Sequence, residues 1–255
     1  MHAVVFEPLK QYKQGDEDVR MKKGDFVKID FVGRVSATGE IFDLTSEEQA
    51  KKEGIYNEKQ RYGTVLVIVG SGMMIPGVEK QLETMKPGDE KEFDVKPSEG
   101  FGHRKPELMR IISITKFYKE KINPMPGIFV TIDNRQAKVQ SVSGGRVRVD
   151  FNHPLASREL HYKIKIVEEI KNPAEKAKAI AEHFTIKCGA EVKEGKLILT
   201  TEKKLPDVVE KLLKDWIEKW ITDIKSVSFI PKNEKKAGTT EKKETSARKK
   251  SGTKP

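Results

Sequence analysis

Five apolar residues in a row, Val65-Leu66-Val67-Ile68-Val69, run without a break into Gly70-Ser71-Gly72, and Met73-Met74-Ile75-Pro76-Gly77-Val78-Glu79 follows at once. A run this short and apolar suits a buried strand, and the glycines punctuate its end with a turn. Beyond Pro76, the residues Val78, Leu82 and Met85 recur at the spacing of one helix face, until Lys86-Pro87-Gly88-Asp89 stops the pattern. A buried strand thus feeds a glycine turn, and the turn feeds a short amphipathic helix. By themselves, Met74 and Ile75 read as core residues of this strand-to-helix corner.

The chain of 255 residues is long enough for more than one compact unit. Charged residues make up 35% of it and aromatic ones 7%, a balance that suits a very soluble protein of small domains. Abundant Lys and Glu with few cysteines also fit a heat-adapted cytosolic protein. Cys188 stands alone and cannot form an internal disulfide. His2, His103, His153, His161 and His183 are dispersed, with no i, i+4 pair and no cysteine set, so no metal site is expected. Gly70-Ser71-Gly72 lacks the lysine and spacing of a phosphate loop, and no cofactor is expected either. The N-terminus has no leader-like apolar region and no run approaches the roughly 20 apolar residues of a membrane span. A cytoplasmic protein with no membrane contact is the expectation.

The net charge of +10 suggests a polyanion partner, but its distribution weakens that reading. Residues 232–255 carry nine Lys/Arg against three Glu and have almost nothing to bury. They read as a disordered basic tail, with weak contact to ribosomes or other polyanions as its possible use. No aromatic residue lies between the tail lysines to stack on bases.

Along the rest of the chain, Asp25 to Val35 alternates as a strand with Val27, Ile29 and Phe31 on one buried face. Ala37-Thr38-Gly39-Glu40 is a turn, and Ile41-Phe42-Asp43 opens a second strand. Thr45 to Tyr62 is a polar surface segment with some helix, and Lys91 to Val95 is a further strand. After Gly102 come four new β runs: 110–114, 128–132, 136–142 and 146–151. They are separated by Asn123-Pro124-Met125-Pro126-Gly127, Asp133-Asn134 and Ser143-Gly144-Gly145. The chain then returns through Asn152-His153-Pro154-Leu155-Ala156 to an alternating strand from Leu160. Beyond Pro173 the order is α-β-β-α-β: a helix to Phe184, a hairpin across Glu194-Gly195, and a helix from Pro206 to Ile221. That last helix has Val209, Leu212, Leu213, Trp216, Ile217 and Trp220 inward, and a strand from Ser226 closes the unit.

The segments 27–35, 39–43, 65–79 and Lys96-Pro97-Ser98-Glu99-Gly100-Phe101-Gly102, followed by the return at 152–156, closely resemble the FKBP family of peptidyl-prolyl cis–trans isomerases. The likeness is to its SlyD-like branch, which carries a domain inserted in the flap, and it covers roughly Met21 to Ile170. The last unit is similar to the C-terminal extension of long archaeal members. The resemblance implies an α+β fold: an FKBP-like antiparallel sheet wrapped on a short helix, a small inserted all-β domain, and a C-terminal α-β-β-α-β domain. The implied division is 1–20 as an extension, 21–102 plus 152–171 as the isomerase, 103–151 as the insert, 172–231 as the C-terminal domain and 232–255 as the tail.

The resemblance also implies a site. Phe31, Phe42, Val78, Phe101 and Tyr162 fall where the family places pocket walls, with Val78 where eukaryotic members carry tryptophan. Met74 and Ile75 fall at the edge where a backbone N–H meets the substrate. Asp43 matches the acidic position, while His153, Leu155 and Ala156 belong to the flap return. Asp43, Phe31, Tyr162 and Ile75 are the expected catalytic group, and the others would bind substrate. The implied partners are proline-containing peptides and unfolded or partly folded polypeptides. The insert suggests chaperone capture of such chains, and a holdase or ribosome-associated folding factor with vestigial isomerase activity is the alternative.

Overall fold

Phe26 and Val27 point to opposite faces of one strand, and both are fully buried. That pair sets the plan of the molecule. The computed structural model describes residues 20–232; the expected extension and tail, apart from Arg20 and Lys232, lie outside them. Strand β1 (Phe26–Val35) leads through a turn to β2 (Ile41–Leu44), helix α1 (Glu47–Lys52) and strand β3 (Val65–Ile68). Helix α2 (Pro76–Leu82) and strand β4 (Glu90–Val95) complete the first pass. The chain leaves for β5 (Met109–Ser113), α3 (Ile114–Lys119), β6 (Phe129–Ile132), β7 (Arg135–Ser143) and β8 (Arg146–Asp150). It then returns as β9 (Leu160–Ile170). Helix α4 (Pro173–His183), strands β10 (Cys188–Lys193) and β11 (Lys196–Thr201), helix α5 (Asp207–Trp220) and strand β12 (Ser226–Pro231) follow.

Strands β1, β2, β3, β4 and β9 form one antiparallel sheet, ordered β2-β1-β9-β4 with β3 also on β1. Val27, Ile29 and Phe31 of β1 and Ile164 and Ile166 of β9 line its front, where Val78, Leu82 and Met85 pack against them. Gly77 lets α2 come this close: a Cβ there would stand 2.6 Å from Val95 Cγ1. The mixed α+β architecture matches the expected fold class.

The back of β1 departs from the one-sided strand expected. Phe26, Leu66, Ile68 and Ile170 are buried in a second core shared with Ala177, Ile180 and Ala181 of α4. The C-terminal unit therefore covers the sheet face opposite the front core. A bulge in β9 makes this possible: Lys28 pairs with Glu168 but Ile29 pairs with Ile166, leaving Val167 unpaired. The extra residue turns the end of β9 over, so Ile166 faces front while Ile170 faces back.

The segment between β4 and β9 has its own sheet, ordered β5-β8-β7-β6, and its own core around Phe117, Val139, Val147 and Val149. Two of its turns use paired left-handed residues, Asp133-Asn134 (φ 51° and 58°) and Gly144-Gly145 (54° and 75°), as hairpins of right-handed twist require. To the four expected strands the structure adds α3, capped by the Ser113 hydroxyl, which accepts from Thr115 N. In the C-terminal unit, α4 and α5 cover a sheet ordered β10-β11-β12, with β12 parallel to β11. Asn172 caps α4 through its side-chain oxygen. Leu212, expected inward on α5, is exposed, because Leu213 and Ile217 already fill the buried stripe. No helix among the described residues is long and apolar enough to cross a membrane.

Candidate functional site

Partly exposed Phe42, Met74, Ile75, Phe101 and Leu155 edge the front core near β2 and the α2 entrance. Register there is broken: Gly33 pairs with Asp43 and Arg34 with Ile41, so Phe42 is an extra residue in β2. Bulges of this kind re-aim a side chain. The Phe42 ring fills the space over Gly33 that any Cβ would occupy and meets the Tyr162 ring edge-on, centroids 5.7 Å apart. Tyr162, 4% exposed, also contacts Phe31 at 6.2 Å. Val78 lies fully buried beneath, with Met74, Ile75, Phe101 and Leu155 packed around the same cluster.

The remaining expected residues lie close by. Asp43 follows Phe42 and keeps an open surface. Burial of its carboxyl raises it above the ordinary aspartate value, against the lowering effect of a hydrogen bond from Leu44 N. Burial, assisted by the negative Asp43, pushes the Tyr162 hydroxyl up to about 12, so it stays protonated and able to donate. His153 stacks flat on Phe101, centroids 4.1 Å apart. Its Nδ1 accepts from Leu155 N at 3.2 Å, and burial lowers its pKa. Ala156 is buried outside the aromatic cluster, its N–H donating to the His153 carbonyl. Ile75 ends the turn before α2, and Glu79 steadies that turn by accepting from Gly72 N at 2.7 Å and Met74 N at 3.4 Å. The structure thus gathers ten of the eleven expected side chains around one mouth and sets Ala156 just behind it.

Phe93 was not anticipated. It lies on β4, pairs with Tyr162 in register and stacks on its ring at 16° and 6.2 Å. The alternation of Glu90 to Val95 was its only signal.

The two chain crossings between this sheet and the 103–151 segment are laced together. Lys105 N donates to Asn152 Oδ1 and Asn152 Nδ2 donates back to Lys105 O, at 2.9 and 3.1 Å. Arg104 N donates to Ser157 Oγ, and the Arg104 guanidinium pairs at 2.9 Å with Asp150, itself 1% exposed. Asp150 also accepts from Asn152 N and Nδ2.

An apolar, aromatic-walled mouth with one carboxylate suits binding and twisting of an amide. Comparison with known proteins agrees. The FKBP-type peptidyl-prolyl cis-trans isomerase profile matches residues 17–114. A short-type peptidyl-prolyl cis-trans isomerase of Methanocaldococcus jannaschii is 35% identical over 146 residues, covering 57% of this chain and 92% of the relative. The chain belongs to the FKBP-type peptidyl-prolyl isomerase family. The FKBP26, IF domain profile matches residues 110–155 of the same FKBP-type chain. The FKBP-type 16 kDa isomerase of Escherichia coli is 30% identical over 139 residues, 52% of this chain and 87% of its own. The SlyD isomerase of Treponema pallidum is 28% identical over 112 residues, 41% of this chain and 61% of its own. These relationships make the protein an enzyme that interconverts cis and trans prolyl bonds.

Proposed function

We propose that the aromatic mouth catalyses this isomerisation on unfolded and partly folded polypeptides, and that the segment 103–151 is a capture domain delivering them. On this reading 21–102 plus 152–171 is the catalytic domain and 172–231 a separate one. The amide barrier is about 18–20 kcal/mol, and it arises from resonance that the twisted form loses. The twisted amide carries less charge separation, so an apolar pocket favours it over the planar ground state. Phe31, Phe42, Val78, Phe101 and Tyr162 wall the proline ring. The Ile75 N–H, which has no acceptor within the described residues, holds the substrate carbonyl. Asp43 acts electrostatically beside the rotating bond, with Met74, His153 and Leu155 shaping the rim and Ala156 holding the flap return through its bond to the His153 carbonyl. Weak contact of the basic tail with polyanions would be a secondary, salt-sensitive property.

One observation carries the capture role. Of ten exposed large apolar side chains among the described residues, five belong to this segment: Met109, Ile111, Tyr118, Met125 and Phe129. Exposed apolar surface of this density marks interaction sites. Replacing 103–151 with a short loop should spare isomerisation of a proline tetrapeptide and abolish suppression of aggregation. Unchanged suppression would exclude the segment as the capture site.

A further inference from the structure

The insert's sheet turns one face to its own core and the other to solvent. On the face away from that core, Met109 pairs with Asp150, Asp150 with Lys138, and Lys138 with Phe129; Asp150 is itself buried, bonded to Arg104 and Asn152, while the other three are exposed. Ile111 and Arg148 form the next row, and Ser113 and Arg146 the one beyond. Ile111 is 61% exposed, and Met109 and Phe129 over 40%. The only carboxylate in these rows is neutralised by Arg104. The insert's two ion pairs, Arg104–Asp150 and Lys116–Asp133, leave Lys138, Arg146 and Arg148 without a carboxylate among the described residues. Lys138 Nζ lies 5.8 Å from the Phe129 ring centroid, so cationic and apolar surface are continuous. Residues 103–151 hold ten Lys/Arg against four Asp/Glu.

An uncharged greasy face would take any unfolded chain. Cations interleaved with the apolar residues repel basic segments and attract acidic ones, so selection follows from the repulsion as much as the attraction. We propose that this sheet face docks extended polypeptide segments that combine apolar residues with Asp and Glu. The proposal rests on the capture reading above and names its substrate class. The Met109–Asp150 end of the first row adjoins the crossings that lead to Phe101 and His153, and apolar and cationic residues alternate from there outward through Ile111, Arg148 and Arg146. Single-stranded nucleic acid is the competing polyanion, but it needs rings to stack on. The face offers only Phe129, and Met109 and Ile111 suit apolar side chains instead.

The test uses the whole protein and two fluorescein-labelled peptides of about 20 residues with the same apolar sequence, all charged positions being Glu in one and Lys in the other. An oligothymidylate of similar length is the third probe. Anisotropy titrations run at about 0.15 M salt, where exposed pairs are partly screened. The Glu peptide should bind about tenfold more tightly than the Lys peptide, as a few exposed ion pairs would give. Arg146→Ser with Arg148→Ser should bring the two within about twofold, and Ile111→Ser should weaken both. Thermal melts verify folding, and Lys138→Ser serves if the double variant fails to fold. Equal affinities in the parent, a preference surviving the arginine changes, or tighter binding of the oligonucleotide would overturn the proposal. Failure of both peptides to bind would overturn the capture reading too; equal binding would leave that reading standing.

Discussion

The Phe42 ring occupies the space above Gly33 that a Cβ would need: Phe42 Cζ would stand 2.5 Å from that atom. The bulge at Phe42 and the bare Cα of Gly33 together allow the ring to lean toward Tyr162. Gly33→Ala should displace Phe42 and lower tetrapeptide kcat/KM by about tenfold, the equivalent of roughly 1.4 kcal/mol of transition-state binding. A protease-coupled assay measures it, and an unchanged kcat/KM would remove Phe42 from the pocket wall.

Asp43 should link activity to a cost in stability. Its folded pKa lies above 3.8 because burial disfavours the charged form. Between the unfolded and folded values the native state binds more proton, so stability falls as pH rises through that interval and stays lower at neutral pH. Asp43→Asn should therefore melt higher than the parent at about pH 7, with the difference shrinking toward about pH 3, and should isomerise about tenfold more slowly. A constant difference across that range would contradict burial as the cause.

His153 gives the opposite slope. Its Nδ1 accepts from Leu155 N, and burial holds its pKa below 6.5. Acidification protonates the unfolded chain first, so stability is full above 6.5 and is lost as pH falls through the interval to the folded value. Denaturant melts on the acid side should show this loss, and His153→Gln should lack it. In the parent the Leu155 amide resonance should shift as pH passes the folded value, below 6.5.

Phe26→Ala tests the docking of the C-terminal unit. Phe26 is fully buried in the core shared with α4, and Lys176 Nζ lies 5.0 Å from its ring centroid. Removing a ring from a closed core costs about 3–5 kcal/mol. Equilibrium denaturation should show a loss of that order with little change in tetrapeptide turnover. A loss below about 0.5 kcal/mol, as for a surface position, would mean the unit does not cover this face.

Asn152→Ala should loosen the crossings without touching the mouth. Its side-chain amide accepts from Lys105 N and donates to Lys105 O, and Nδ2 also donates to Asp150. Hydrogen exchange at Lys105 N–H should accelerate by at least about tenfold. Catalysis of protein refolding should fall more than tetrapeptide catalysis. Unaltered exchange would show that the side chain does not hold the crossings together.

The mouth residues are implied by the FKBP resemblance, which the glycine turn before α2, the Phe42-Asp43 pair and the return at 152–156 carry; by spacing alone Phe31, Phe42, Met74 and Ile75 read as core. Phe93 is not among them, since a lone aromatic in an alternating strand looks like any core residue. The burial of Phe26 depends on α4, about 150 residues away, and no local pattern reports such a partner. Ile114 read as the end of a strand because its apolar run continues from Ile111. The Ser113 cap, a single hydroxyl, decides for helix instead. Leu212 fits the helical stripe by spacing, but α5 packs on α4 and β12 through Leu213 and Ile217 and leaves Leu212 at the edge of that face.

The unpaired Val167 has a consequence for how this chain tolerates change. Leu160, Ile164, Ile166 and Ile170 are all even-numbered, yet they serve two different interiors, and one supernumerary residue separates the two allegiances. Deleting it would leave Ile29–Ile166 and Lys28–Glu168 as consecutive pairs, with Ile166 and Ile170 still on their present faces, so the local bend would go but neither interior would lose its residues. With it in place, Leu160, Tyr162, Ile164 and Ile166 pack into the catalytic side, and Ile170 into the docked side. Each side can drift in sequence without consulting the other.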